Sequence, residues 1–378
     1  MNNRVKLGIG LYRVFSRAYF HLPFLVIYLH KLGFRISIIE VIMAVYGLAV
    51  FAYTRFPSRA RATAHLSSRG VMMLSEGFKC AGLIVMILLQ NFIGICIAQI
   101  ILGLGYGIAA GADTRIINTH IDDGGKFQAR SNSFMFASLL IAGLLGSVLF
   151  NIDIRLPFAA SAAAGIITII ICFVLPTEPG KLSVENKKSG RVKLSWYEKQ
   201  MIGVYCLTRG IILTYFTGFL PYHLFIDQEI PVFAFIAILT SYTLLGNISS
   251  NFIVGRLKPE TAGKLMNISL LLSLLCYFSA NLIFITGATI LLGLTSGATR
   301  PICMNGLKRN GSNIAVISNL MESIYSVINI ALLLLGGLLY EAYGFTAVLC
   351  LFMIMFVFYI IFYLTSNRRI NCNENSCA

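Results

Sequence analysis

The sequence predicts an all-α polytopic membrane protein, with twelve transmembrane helices arranged as two pseudo-symmetric bundles of six. Three observations carry this expectation. Of 378 residues, 57% are hydrophobic and only 12% charged, at a mean hydropathy of +0.80, whereas a soluble domain is about 25% charged. A spanning helix needs about 20 apolar residues, so each span with its loop uses about 30 and the chain has room for about twelve. The two halves also repeat one another weakly. Such a composition excludes a soluble enzyme, a disordered regulator and a nucleic-acid binder.

Hydrophobic runs separated by charge or turn clusters place the spans near 8–30, 38–56, 70–89, 91–113, 132–152, 155–175, 200–224, 231–254, 262–282, 284–304, 313–339 and 343–365. Arg4 and Lys6 precede the first run, which continues to His30 without a small-residue cleavage site, so it reads as an uncleaved span. The long polar stretch Thr177 to Lys199, with Lys181, Lys187, Lys188, Arg191 and Lys193, separates the halves. The expected organisation is therefore bundle 1–176, cytoplasmic linker 177–199, bundle 200–366 and cytoplasmic tail 367–378.

Basic residues set the orientation. With the N-terminus inside, the inner segments hold 22 of 30 Lys and Arg and the outer loops only Lys31, Arg35 and Arg155. Both termini are thus expected in the cytoplasm, and the net charge of +15 needs no nucleic acid. Nine cysteines are scattered singly, mostly within apolar runs (Cys80, Cys96, Cys172, Cys206, Cys276, Cys350), as packing residues rather than metal ligands. No metal and no cofactor is expected.

The repeat has a steady offset. Leu-Gly-Leu-Gly-Tyr-Gly from Leu102 runs on to Asp113-Thr114-Arg115, and Leu-Gly-Leu-Thr-Ser-Gly from Leu292 runs on to Ala298-Thr299-Arg300. Arg13 and Pro23 in span 1 match Arg209 and Pro221 in span 7. Val45-Tyr46 matches Ser241-Tyr242, and Arg59 matches Arg256. Secondary transporters are commonly built from such repeats, with the substrate near the midplane between them.

Six plus six spans, a basic central loop and repeated halves resemble the major facilitator superfamily over essentially the whole chain. The superfamily's Gly-x-x-x-Asp-Arg-x-Gly-Arg-Arg loop after span 2 corresponds here to Pro57-Ser58-Arg59-Ala60-Arg61-Ala62-Thr63-Ala64-His65, with Thr63 in place of the acid. Gly255-Arg256-Leu257 stands in the second half. Arg59, Arg61 and Arg256 are the gating residues this resemblance implies. Gln99 before Gly103 replaces a frequent span-4 arginine, and Gly143-Leu144-Leu145-Gly146 keeps the glycines of an exporter motif without its proline. The resemblance also implies that spans 1, 4, 7 and 10 line a central cavity.

An ionisable group inside a span costs about 2.5–3.5 kcal/mol on insertion scales unless it meets a partner or water. Arg13, Arg17 and His21 follow at i, i+4 and i+8, which on a continuous helix is one face. Arg13 is expected to snorkel to the surface, and Arg17 to face the cavity. Span 7 offers Arg209 with Tyr205 one turn away. Span 4 offers Gln99, Tyr106 and Asp113 on one stripe, and span 10 Ser296 and Arg300. For Asp113 and Arg300, cavity lining and helix anchoring both remain open. Span 11 carries Glu322 with Ser318, Tyr325 and Asn329, and span 3 carries Glu76 and Lys79 at i, i+3, where a self-satisfied pair is one reading. Glu40 opens span 2 at the outer surface and needs no special role.

Five bases (Arg13, Arg17, Lys79, Arg209, Arg300) stand against three acids (Glu76, Asp113, Glu322). An arginine fork pairs with carboxylate or phosphate and repels a cation, so the expected substrate is a small anionic, carboxylate-bearing molecule. Arg17, His21, Gln99, Tyr106, Arg209, Ser296, Arg300 and Tyr325 are the candidate substrate contacts. No phosphate-binding Gly-x-x-x-x-Gly-Lys loop exists to couple ATP. A proton gradient is the expected driver, with Glu322, Asp113 and His21 as coupling groups. Compact twelve-span exporters of carboxylate siderophores share this size and cavity charge, and export is favoured over an uptake permease. A membrane-embedded transferase is the third reading, and Asp122-Asp123-Gly124-Gly125 reads as a turn rather than its active site. A monomer in a bacterial inner membrane is expected.

Overall fold

The computed structural model describes residues 2–55, 66–109, 112–121, 124–176, 194–257, 259–279, 281–309 and 314–375. Among them every regular element is a helix. They are α1 (Asn2–Phe15), α2 (Leu25–Lys31), α3 (Ile36–Arg55), α4 (Ser68–Leu88), α5 (Phe92–Ala109), α6 (Ala112–His120), α7 (Gly124–Ile152) and α8 (Leu156–Cys172), followed by α9 (Trp196–Thr214), α10 (Val232–Arg256), α11 (Pro259–Cys276), α12 (Leu282–Arg309), α13 (Ile314–Tyr343) and α14 (Phe345–Asn375). Among the described residues, eight segments are long and apolar enough to cross a membrane, and four shorter apolar ones (Leu22–Lys31, Leu156–Cys172, Ala234–Gly246, Thr261–Cys276) occupy the remaining expected spans. Large apolar side chains such as Leu88, Ile93, Ile152 and Ile170 are more than half exposed, as helices facing lipid require.

Local chemistry sets several helix ends. Ser195 and Glu198 form a reciprocal capping box at the start of α9, Glu198 N donating to Ser195 Oγ at 3.1 Å and Ser195 N to Glu198 Oε2 at 2.8 Å. Between α13 and α14 the turn passes through Gly344 at φ +77°, a left-handed conformation that favours glycine.

Span 1 departs from the continuous helix expected over 8–30. Helix α1 ends at Phe15, a non-α stretch follows, and a 3₁₀ turn (Leu22–Phe24) leads into α2. Pro23 lacks the N–H that would reach the carbonyl of Tyr19, and its ring crowds that carbonyl. Neighbouring helices satisfy the freed backbone. Ser138 Oγ of α7 donates to Val14 O at 2.6 Å, and Ser161 Oγ of α8 accepts from His21 N at 3.3 Å. The backbone of Phe20 also needs room: a Cβ on Gly146 would sit 2.3 Å from Phe20 O. Span 7 responds to Pro221 differently, continuing through π-helical turns at Tyr215–Phe219 and His223–Asp227.

The chain divides into two compact units, residues 1–186 with 224–240 and residues 187–223 with 241–378. In the first, α4 packs on α5 and α8, α3 on α5, and α1 on α7 and α8. Val5, Ile9, Tyr12, Met72, Ile116 and Cys172 are buried together there. In the second, α9 packs on α12, α13 and α14, and α11 on α12. The repeat reappears in atomic detail. A Cβ on Gly103 would lie 2.7 Å from Tyr46 O, and one on Gly293 would lie 2.7 Å from Tyr242 O. Equivalent glycines thus let equivalent helix pairs approach by the same route.

Candidate functional site

In the first unit, the charged residues gather where span 1 breaks. Arg13 is 6% exposed and does not snorkel. Its Nε and Nη2 donate to Asp113 Oδ2 at 3.0 and 2.8 Å, and its Nη1 to Ser131 Oγ at 2.6 Å. The arginine thereby ties α1 to α6 and α7. A half-buried carboxylate and a buried hydroxyl within hydrogen-bond reach hold the guanidinium in the interior. Tyr106 lies on α5 and Asp113 on α6, on either side of residues 110–111, which fall outside the described set.

Arg17 lies two residues beyond the end of α1, so the helical stripe expected for Arg13, Arg17 and His21 does not exist. Its guanidinium carbon is 5.5 Å from the ring centre of Tyr106 and 5.9 Å from that of Tyr19, and Nη1 donates to Tyr19 Oη at 3.3 Å. Aromatic faces attract a cation without neutralising it. Among the described residues no carboxylate lies within ion-pair distance of Arg17. His21 is buried, with Nδ1 2.8 Å from Ser161 Oγ and its ring 5.3 Å from that of Phe158. It is engaged by α8. Gln99 is also buried, and its Nε2 has no hydrogen-bond partner among the described residues.

On α4, Glu76 accepts from Lys79 Nζ at 2.5 Å and from Tyr12 Oη at 3.4 Å. This is the intrahelical pair with a third member that sequence spacing did not reveal. A small cavity beside it is lined by Ser16, Tyr19, Glu76, Lys79 and Ser161. Glu40 is the larger surprise. It is not at the surface but fully buried, and among the described residues neither carboxylate oxygen has a hydrogen bond. Its place in the second turn of α3 puts it among packed helices rather than at the helix mouth.

The second unit holds its own cluster. Arg209 on α9 donates through Nη1 to Glu322 Oε1 on α13 at 2.7 Å and also contacts Tyr205 Oη. Tyr205 donates to the same Glu322 oxygen at 2.8 Å. The Arg209 guanidinium carbon lies 4.5 Å from the ring centre of Tyr325. Thr214 Oγ1 donates to Asn329 Oδ1 at 2.7 Å, one face further along the same two helices. Tyr242 stacks on Phe216 at 3.7 Å and donates to Ser296 Oγ at 2.7 Å. Tyr242 and Ser296 repeat the neighbouring rings Tyr46 and Tyr106 of the first unit, whose centroids are 6.3 Å apart. Arg300 is exposed on α12, and Arg256 is exposed at the end of α10. Arg59 and Arg61, and the side chain of Ser318, lie outside the described residues.

Sequence reasoning missed Ser131, Ser161 and Tyr12. Each is an ordinary residue whose partner is more than sixty positions away, so no local pattern marks it.

Among solved structures, the chain is similar to the nucleoside transporter NupG, at TM-score 0.72 and 14% identity over 97% of this chain and 99% of that one. A point mutant of the same transporter gives TM-score 0.74 at the same identity and coverage. The human organic anion transporter MFSD10 (TETRAN) gives 0.69 at 13% identity over 96% and 99%. No curated protein matches the sequence significantly. The profile of the Major Facilitator Superfamily matches residues 14–321, most of the chain. The protein is a transporter rather than an enzyme, integral to a membrane, and belongs to the major facilitator superfamily.

Proposed function

We propose that the protein carries a small anionic, carboxylate-bearing molecule across the membrane by alternating access, with Arg17 as the principal anchor for its charge. The observation that carries this reading is a balance of partners. Each of the three acids considered has a base: Asp113 has Arg13, Glu76 has Lys79 and Glu322 has Arg209. Of the remaining two bases, Arg300 is exposed and Arg17 is half-buried between tyrosine rings. A guanidinium held largely away from water is stabilised by pairing and hydrogen bonding, and a carboxylate substrate offers the bidentate partner that Arg17 does not have among the described residues. Tyr106 and Gln99 would contact the same ligand from α5, with His21 beside them. In the second unit, Tyr325 and Ser296 are the contacts proposed around Arg209.

Proton coupling is part of the proposal. Protonation of Glu322 would cancel the charge that holds Arg209 and release the guanidinium for the anion; Asp113 would do the same for Arg13. Outward transport in a bacterial inner membrane, with both termini cytoplasmic, extends the reading from loop charge and chain size, and carboxylate siderophores fit it as cargo. At 13–14% identity the structural neighbours support the fold and not the cargo.

A deletion strain compared with its complemented parent tests the function, with anionic metabolites measured in cells and medium under iron-replete and iron-limited growth. A carboxylate that accumulates inside and disappears from the medium is the expected result. Slower depletion from the medium would reverse the direction to uptake. A change confined to cations or neutral compounds would overturn the anion assignment.

A further inference from the structure

We propose that Glu40 is a proton-exchange site of the first unit: it is protonated in the conformation described here and gives up its proton when the start of α3 opens to water. The inference rests on the transporter reading but not on the anion reading.

Glu40 is the fifth residue of α3, about 6 Å along the helix axis from its start. It has no exposed surface, and neither oxygen has a hydrogen-bond partner among the described residues. Helices α2 and α5 pack on α3. Their titratable and charged side chains are Tyr28, His30 and Lys31 on α2, and Cys96 and Tyr106 on α5. None of these lies within hydrogen-bond or ion-pair distance of Glu40.

The register between α3 and α5 explains why. A Cβ on Gly103 would meet Ala49, and one on Gly107 would meet Tyr53, so the two helices advance together. Extended nine residues back at the same spacing, this register would set Glu40 level with Gly94 and Ile95, whose side chains carry no donor and whose amides bond Asn91. Nearby on α3, Ile36, Ile39 and Ile42 are buried as well.

An ionised carboxylate in such surroundings has no compensating interaction, and such a group takes up a proton instead of remaining charged. The other interior acids differ. Asp113, Glu76 and Glu322 each keep a cation within 2.8 Å, so their charge is already balanced. Glu40 can therefore change charge without breaking an ion pair, and its ionisation is tied to hydration of the α3 start. The step moves one proton between water and the carboxylate and involves no other reactant. Acidic conditions favour the arrangement described here, in which Glu40 is covered, and ionisation as pH rises favours one that admits water.

Infrared spectroscopy of the full-length purified protein in detergent, without substrate, tests this directly. The wild type should show a carbonyl stretch of a protonated carboxylic acid that is absent in Glu40→Gln, retained in Glu322→Gln and Asp113→Asn, and lost on raising the pH. If Glu40→Gln does not fold, Glu40→Asp keeps the carboxyl and should shift the band. A band unchanged by either substitution overturns the proposal, because Glu40 would then be ionised. A Glu40 band that persists to the highest pH the fold survives also overturns it, because the proton would be fixed rather than exchanged. Neither outcome touches Arg17, so failure here is distinct from failure of the anion reading.

Discussion

Removing the charge of Asp113 while leaving Arg13 in place takes the carboxylate away from a guanidinium inside the first unit. The side chains of the pair are 7% and 25% exposed for Arg13 and Asp113 respectively. Breaking a buried ion pair at one end costs about 3–5 kcal/mol, whereas replacing both ends with apolar groups is close to neutral. Arg13 keeps its hydrogen bond to Ser131 Oγ, and Asp113 sees some water, so the lower end, about 3 kcal/mol, is expected for Asp113→Leu. Arg13→Met should be milder, because the carboxylate left behind is the partner that water already reaches. The double variant Arg13→Met with Asp113→Leu should return to within about 1 kcal/mol of wild type. Unfolding in mixed micelles of increasing denaturing detergent measures all four corners of the cycle. Additive costs, or a harmless Asp113→Leu, would refute the claim that this pair fastens α1 to α6.

Three further outcomes follow from the geometry. Glu322→Gln mimics the protonated acid and should free Arg209, so transport by the variant should lose its dependence on pH; a pH profile matching the wild type's would remove Glu322 as the coupling group. Gly146→Ala places a methyl group 2.3 Å from Phe20 O, a backbone atom that cannot swing aside, and should cost about 1–3 kcal/mol through overpacking, seen as a lower melting temperature. Ser138→Ala removes the donor to Val14 O and should cost about 1–3 kcal/mol by leaving a carbonyl unsatisfied; the same melting assay reads it, and no change would mean that the broken span does not need this bond.

The sequence carried the helical architecture because apolar length and loop charge are cumulative signals. Twelve runs survive errors of several residues at each end. The repeat was visible in Tyr46 with Gly103 and Tyr242 with Gly293 because close backbone approach demands glycine in both halves. Pairings were another matter. Arg13 and Asp113 are a hundred residues apart, and the charge count showed an excess of bases without saying which base stays without a carboxylate. The break in span 1 was hidden for a different reason: Pro23 signals a kink, but its extent depends on Ser138 donating to the Val14 carbonyl and Ser161 accepting from the His21 amide. Glu40 looked superficial because it is near a helix start, and only packing reveals that the start is covered.

The most direct test of the central claim measures ligand-induced thermal stabilisation of the purified protein against a panel of probes. Citrate and other carboxylates, phosphate esters, neutral analogues and amines would be compared on wild type, Arg17→Gln and Arg17→Lys. A ligand at 100 times its Kd stabilises by about 2.7 kcal/mol, well within reach of a melting curve. A charge-assisted hydrogen bond contributes about 1.5–3 kcal/mol, so Arg17→Gln should weaken the anion by roughly 10- to 150-fold. Arg17→Lys should fall between, since it keeps the charge and loses the fork. Stabilisation by anions alone, lost in Arg17→Gln, is the predicted result; stabilisation by amines or neutral compounds, or anion binding untouched by Arg17→Gln, would contradict the account.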